Sequence, residues 1–369
     1  MKRKTVSAAI ALFISMSVLA GFPGQVLGED SARGLKEAAY YTKLDNKFVQ
    51  CGLCPRRCTL SPGLSGYCTV RKNIDGKLYS LVYGKPVSIA VDPIEKKPVF
   101  HMFPGSLSFS LATVGCNMRC IHCQNWQISQ ALPGEVKTYE FTPEEIVEQA
   151  VKSGSKSIAY TYNEPVVFYE YMYDIARIAR SRGLKNVMVT SGWINTEPFR
   201  NLCKYLDVAR IDLKGFSDEF YGKLANASLA PVLETIKTAK SEGVWVEIIN
   251  LVIPGYNDDT VKIKEMCKWI KNNAGADVPV YFSRFFPQHK LQSVPPTPVK
   301  TLEKAREIAM SAGLNYVYIG NVAGHPGENT YCPKCRKKLI GRVGYTITEN
   351  NIKNGKCKFC GRKIPGIWE

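Results

Sequence analysis

Three cysteines in one short stretch, SFSLATVGCNMRCIHCQNW, stand at C-x3-C-x2-C: Cys116, Cys120 and Cys123. No fourth follows at matching spacing. A structural metal site closes its shell with four protein ligands, whereas a reactive site keeps one position open. Three thiolates can hold a [4Fe–4S] cube by three of its irons and leave the fourth iron for a small molecule. The competing reading of the same residues is a buried or zinc-binding trio.

The remaining cysteines form two sets of four and two singletons. CGLCPRRCTLSPGLSGYC carries Cys51, Cys54, Cys58 and Cys68, with Pro and Gly supplying turns that direct thiolates inward. Four ligands suit zinc or an auxiliary iron–sulfur cluster. A pair of disulfide loops is the alternative, and it gains weight if the chain is exported oxidised. Near the C-terminus, Cys332, Cys335, Cys357 and Cys360 make two C-x2-C knuckles separated by 21 residues, close to zinc-ribbon spacing. Zinc, ahead of a single iron, is the expected ion there, in a structural or docking role. Cys203 and Cys267 stand alone in helical patterns and read as core residues.

Ligands of this kind need a frame. Between about residues 108 and 320 the chain alternates strand and helix patterns. The strands read SFSLAT, SIAYTY, NVMVTSG, VARIDL, VWVEIINLVI, VPVYFSRF and YVYIGNV; amphipathic helices lie between them. Thr142-Pro143-Glu144-Glu145 is an N-cap with proline at N1. Gly154, Gly183, Gly243 and Gly313 are natural helix stops. This alternation specifies a parallel α/β domain but does not separate a doubly wound sheet from a barrel. The Cys116 loop would leave the C-terminal end of the first strand, where (β/α) barrels place chemistry.

The chain of 369 residues is long enough for one large domain with small appendages. Its formal charge of +17 could attract nucleic acid, anionic lipid or an acidic partner. With no arginine-rich run or aromatic-interleaved patch, a solvated basic surface is expected and nucleic acid is not. Residues 1–28, MKRKTVSAAIALFISMSVLAGFPGQVLG, have the basic start, short apolar run and small residues of a signal peptide, with an uncleaved anchor as the alternative. An exported or membrane-anchored protein is therefore expected, with no membrane span after cleavage, although iron–sulfur chemistry would suit the cytoplasm. Next, LKEAAYYTKL is expected to form a short helix.

The C-x3-C-x2-C stretch resembles the radical S-adenosylmethionine (SAM) superfamily. The resemblance implies a partial (β/α)6, TIM-like barrel over residues 106–325, after a Cys-rich segment at 29–105 and before a metal ribbon at 326–369. It implies a [4Fe–4S] cluster on Cys116, Cys120 and Cys123 and a SAM molecule chelated by the open iron. The residue before the third cysteine is usually aromatic in that superfamily and touches the adenine; here it is His122. Asn163 and Glu164, in TYNEP, stand where many members have a Gly-Gly-Glu motif that binds the SAM amino group, though a helix N-cap would also explain them. Thr190-Ser191-Gly192 and Asp212-Leu213-Lys214 match segments of the pyruvate formate-lyase activating enzymes that reach the SAM ribose and carboxylate, which singles out Ser191 and Lys214. His289, in FFPQHK, lies near a SAM-contacting histidine of those activases.

Read together, CGLCPRRC…GYC, SIAVDPIEKKPVFHMFPGS, GCNMRCIHCQNWQIS, TYNEP, SRFFP, YIGNV and CPKC…CKFCG…IPG look like the AmmeMemoRadiSam-system radical SAM enzymes. That likeness implies a flavodoxin or ferredoxin as reductant and AMMECR- and Memo-type proteins as partners. The implied activity is hydrogen abstraction by a 5′-deoxyadenosyl radical from an unidentified substrate. A glycyl-radical-enzyme activase is one alternative, disfavoured because the extra cysteines precede the SAM motif instead of following it. A non-SAM electron-transfer or metal-ribbon binding protein is another, and a disulfide-bonded exported protein a third.

Overall fold

The computed structural model describes residues 35–368, so the signal-peptide reading of residues 1–28 lies outside the described residues. At its centre is an eight-stranded sheet: β1 (Ser88–Pro93), β2 (Leu107–Ala112), β3 (Ser157–Tyr160), β4 (Lys185–Thr190), β5 (Val208–Asp212), β6 (Trp245–Val252), β7 (Val280–Arg284) and β8 (Val317–Gly320), bonded in that order. Strands β2 to β8 are parallel, and β1 lies antiparallel against β2. β1 and β8 do not pair, which leaves the sheet open between them. The crossovers hold α1 (Pro143–Lys152), α2 (Tyr169–Ser181), α3 (Thr196–Cys203), α4 (Ala230–Ser241), α5 (Thr260–Ala274) and α6 (Val299–Ser311). All seven expected strands and the six helices expected between them are present.

Local sequence explains these elements. Ser157, Ile158, Ala159 and Tyr160 of β3 are all buried, the continuous run of a parallel strand covered on both faces. In α1, Ile146, Val147 and Ala150 face inward while Glu144, Glu145 and Glu148 face solvent. Thr142 caps that helix with Glu145 as a reciprocal capping box, which satisfies two otherwise orphaned N–H groups. Cys203 and Cys267 are buried core residues, as expected. Among the described residues, no helix is long and apolar enough to cross a membrane.

The expected helix in LKEAAYYTKL does not form. Lys36–Glu37 pairs with Lys77–Ser80, and Tyr41–Lys43 pairs with Val49–Cys51 in two small antiparallel sheets. Tyr40 adopts a left-handed conformation (φ 56°) between them. Strand partners brought in by the cysteine segment override the helix propensity of Lys-Glu-Ala-Ala, and the Tyr-Thr pair suits the pleat.

At the other end β9 (Lys338–Val343) and β10 (Thr346–Asn350) form a hairpin whose Leu339 and Ile340 pack on Phe100, Tyr281, Tyr316 and Tyr318. Residues 94–105 are clamped between hairpin and sheet. The buried Glu247 of β6 accepts from the Phe100 and His101 backbone N–H groups at 3.0 Å each. Arg342 lies over the Phe100 ring and donates to its carbonyl oxygen at 3.0 Å.

Candidate functional site

Loop 113–125, leaving β2, is pinned from several sides. Arg119 N donates to Ala225 O at 3.0 Å, Ile121 N to Leu224 O at 2.9 Å, and the Arg119 guanidinium to Cys116 O and Tyr67 O. Gly115 (φ 92°) touches the N-terminal segment: a Cβ there would stand 2.7 Å from both Cys68 O and Val70 Cγ1. Only glycine fits that position. The Met118 backbone N–H donates to Cys116 Sγ at 3.3 Å, and Cys123 Sγ lies 3.3 Å from Ser129 Oγ. Burial raises the Cys116 thiol well above its usual range, and it raises Cys120 to about 11 against the pull of Lys214. A bound metal would have to displace those protons.

The three cysteines open onto a cavity of about 390 Å³ at the C-terminal ends of the parallel strands, where (β/α) folds bind their ligands. His122, Asn163, Glu164, Ser191 and Lys214 line the same space. The sequence-selected residues, scattered over nearly a hundred positions, therefore meet at one place. The two other cysteine quartets do not reach it.

Their individual states differ from a simple ligand list. Asn163 Nδ2 donates to Gly115 O at 2.8 Å and also to Thr113 O, while its buried Oδ1 has no partner among the described residues. Glu164 is filled. Its Oε1 accepts from Thr190 Oγ1 (2.5 Å) and Val166 N (3.3 Å), and its Oε2 from Ser191 N (2.8 Å) and Ser191 Oγ (2.5 Å). A carboxylate offers about four acceptor positions, so Glu164 locks the 190–192 turn to its own loop. His122 is buried and neutral: burial, then the nearby Lys214 charge, push it down to about 3, and its Nδ1 has no partner among the described residues. Lys214 Nζ is 3.0 Å from Asp212 Oδ2; burial opposes its charge, but Asp212 and Cys120 hold it protonated. Arg210 pairs with the other Asp212 oxygen.

Sequence reading missed Lys97, Tyr162 and Arg210, which also line the cavity. Lys97 is buried, 2.5 Å from Asp92 Oδ2, and burial pushes it down to about 8. Tyr162 donates to the same Asp92 oxygen at 2.5 Å and holds a left-handed φ of 68°, uncommon for an aromatic residue. Lys97 lies within the segment SIAVDPIEKKPVFHMFPGS that carries the resemblance, but no residue type or spacing there singles it out. Tyr345, in the β9–β10 turn, adds the C-terminal ribbon to the cavity lining. His289 instead stacks on Trp126 at 5.2 Å outside it.

The cysteine sets have different spacings. Among the described residues, Cys332, Cys335, Cys357 and Cys360 form the group whose donor atoms all lie within 4.8 Å of one another. Their Sγ pairs Cys332–Cys360 and Cys335–Cys357 stand at 3.6 and 3.7 Å. A tetrahedron with zinc–sulfur bonds of about 2.3 Å has sulfurs about 3.8 Å apart, so this quartet fits one ion. Cys116, Cys120 and Cys123 stand wider. That suits a cube, in which iron–iron edges separate the thiolates.

Residues 110–267 match the Radical SAM superfamily. The chain is 50% identical over 332 residues to the uncharacterized protein MJ0808 of Methanocaldococcus jannaschii, covering 89% of this chain and 99% of that one. It is 23% identical over 218 residues to the pyruvate formate-lyase 1-activating enzyme of Escherichia coli K12, covering 55% of this chain and 89% of the enzyme. A radical SAM methyltransferase structure from Sphaerobacter thermophilus superposes with a TM-score of 0.48 at 16% identity, over 62% of this chain and 71% of that one. The chain thus carries a radical SAM domain with distant similarity to the activating enzymes, and it belongs to one family with the archaeal protein.

Proposed function

We propose that the protein is a radical SAM enzyme whose Cys116, Cys120 and Cys123 hold a [4Fe–4S] cluster at the mouth of a partial (β/α)6 barrel. The observation that carries this reading is the convergence of three openly spaced thiols, an unpartnered Asn163 Oδ1 and a protonated Lys214 on one cavity. When bound, cluster and SAM supply reductive cleavage to a 5′-deoxyadenosyl radical that abstracts hydrogen. The chain's own residues bind and orient SAM. Asn163 Oδ1 accepts from its ammonium, and Lys214, with donors left after Asp212, meets its carboxylate. The neutral His122 ring offers a flat face to adenine. Glu164 and Ser191 position this wall without spending a free lone pair on the ligand.

The test is anaerobic: reconstituted, reduced protein is incubated with SAM and 5′-deoxyadenosine is quantified by mass spectrometry. An intact cluster with neither product nor a SAM-dependent spectral change would defeat the reading. Asn163→Leu should weaken SAM binding by at least about 10-fold, since it removes the Oδ1 acceptor together with the Nδ2 bonds to Thr113 O and Gly115 O. An unaltered SAM affinity would move the ammonium elsewhere.

For the ribbon we propose one zinc held by Cys332, Cys335, Cys357 and Cys360. Metal analysis should find about one zinc per chain, lost in Cys332→Ala. The electron donor in this reading is a flavodoxin or ferredoxin, and AMMECR- and Memo-type proteins are the proposed partners. Export directed by residues 1–28 remains part of the proposal, and fractionation of cells making the full chain tests it.

A further inference from the structure

We infer that Cys51, Cys54, Cys58 and Cys68 hold a second [4Fe–4S] cluster, closed by four protein thiolates and set directly behind the loop that carries Cys116. The four side chains line one pocket, which Gly66 and Arg71 also line. They are free thiols. They are also not drawn together as the ribbon quartet is, whose sulfurs have closed to the separation one ion imposes. A single zinc needs no cavity between its ligands, because the four sulfurs meet around it. A cube keeps its thiolates apart, as these four are kept.

Two further details fit a bulky anionic group. A Cβ built on Gly66 would stand in ordinary contact, 3.8 Å from both Cys58 Sγ and Cys68 Sγ, so position 66 lies between two of the ligands and a larger side chain there would intrude. The buried Arg71, whose charge Glu170 matches, also lines the pocket, and its Nε–H has no acceptor among the described residues. An N–H donor of that kind is what cluster sulfurs accept. The location is equally specific. Arg56 Nε donates to Asn117 O at 2.9 Å, and Asn117, next to Cys116, lines this second space. With four protein ligands the cluster has no open iron and takes no SAM, so the inference stands apart from the function proposed above.

The test uses the full chain with Cys116, Cys120 and Cys123 all changed to Ala, reconstituted anaerobically with iron and sulfide. It should keep about four irons and four sulfides per chain, with iron–sulfur absorption that SAM does not alter. Adding Cys54→Ala and Cys58→Ala should remove them. An iron-free triple variant carrying a second zinc, or disulfides among these four, would overturn the inference. If the triple variant does not fold, Cys54→Ala with Cys58→Ala in the parent protein decides: a fall from about eight irons per chain to about four supports the second cluster, and an unchanged count refutes it. Gly66→Leu, with every cysteine retained, should lower that count from about eight to about four by filling the space. An unchanged count in Gly66→Leu would place the extra iron elsewhere.

Discussion

Cys120→Ala should reduce 5′-deoxyadenosine formation to the level of a protein-free sample and abolish the spectral response to SAM, while the zinc content of the ribbon stays unchanged. The loop around Cys120 is held by backbone bonds to Ala225 O and Leu224 O and by the Arg119 guanidinium. None of these uses the Cys120 side chain, so the variant should fold. What it loses is one of only three thiolates. A three-ligand site has no spare protein ligand to keep the cluster in place. Lys214 and Asp212, both electrostatically coupled to Cys120, would stay paired with each other. Cys203→Ala, a buried thiol on α3 far from any of these sets in sequence, is the matched control and should leave product formation intact. Product at the parental rate in Cys120→Ala would reject the ligand assignment.

Glu170→Ala should destabilise the fold by about 3–5 kcal/mol, the cost of stranding a buried charge. Arg71 Nη1 lies 2.8 Å from Glu170 Oε1, with the two side chains 2% and 4% exposed. The same carboxylate accepts from Ala39 N at 2.8 Å, so its removal orphans a backbone donor as well. Arg71 keeps only its bond to Ala39 O. Replacing both partners with methionine should cost less than Glu170→Ala alone, because neither charge is then left unmatched. Denaturant midpoints read both effects. The pair ties the N-terminal sheet strand Arg71–Ile74 to α2, so limited proteolysis of Glu170→Ala should cut first in the N-terminal segment. A midpoint shift worth under about 1 kcal/mol would mean the pair is solvated despite its burial.

The central α/β alternation was legible because it rests on local rules. Strand runs such as SIAY, the Thr142 capping box and the glycine stops each act within a few residues, and all of them appear where the pattern puts them. The failure was equally local in cause. LKEAAYYTKL has fair helix propensity, but its strands are dictated by partners as distant as Ser80 and Cys51, and a window of ten residues contains neither.

For the candidate site, residue types and spacing separated the three-cysteine loop and the two quartets, and the resemblance to radical SAM enzymes singled out the strand-end positions Asn163, Glu164, Ser191 and Lys214. Thiolate chemistry depends on what the chain offers and in what order. What those groups are free to do was settled only in three dimensions. Glu164 is occupied by Thr190 and Ser191, whereas Asn163 retains an open acceptor. Lys97 joins the cavity from an unremarkable basic turn, and Tyr345 arrives from the far ribbon. The same holds for the quartets, alike as lists of four cysteines but drawn to one ion's width in the ribbon and held open around a cavity in the N-terminal segment. Sequence sets which donors exist, but burial and packing decide which lone pairs, protons and spaces remain unfilled.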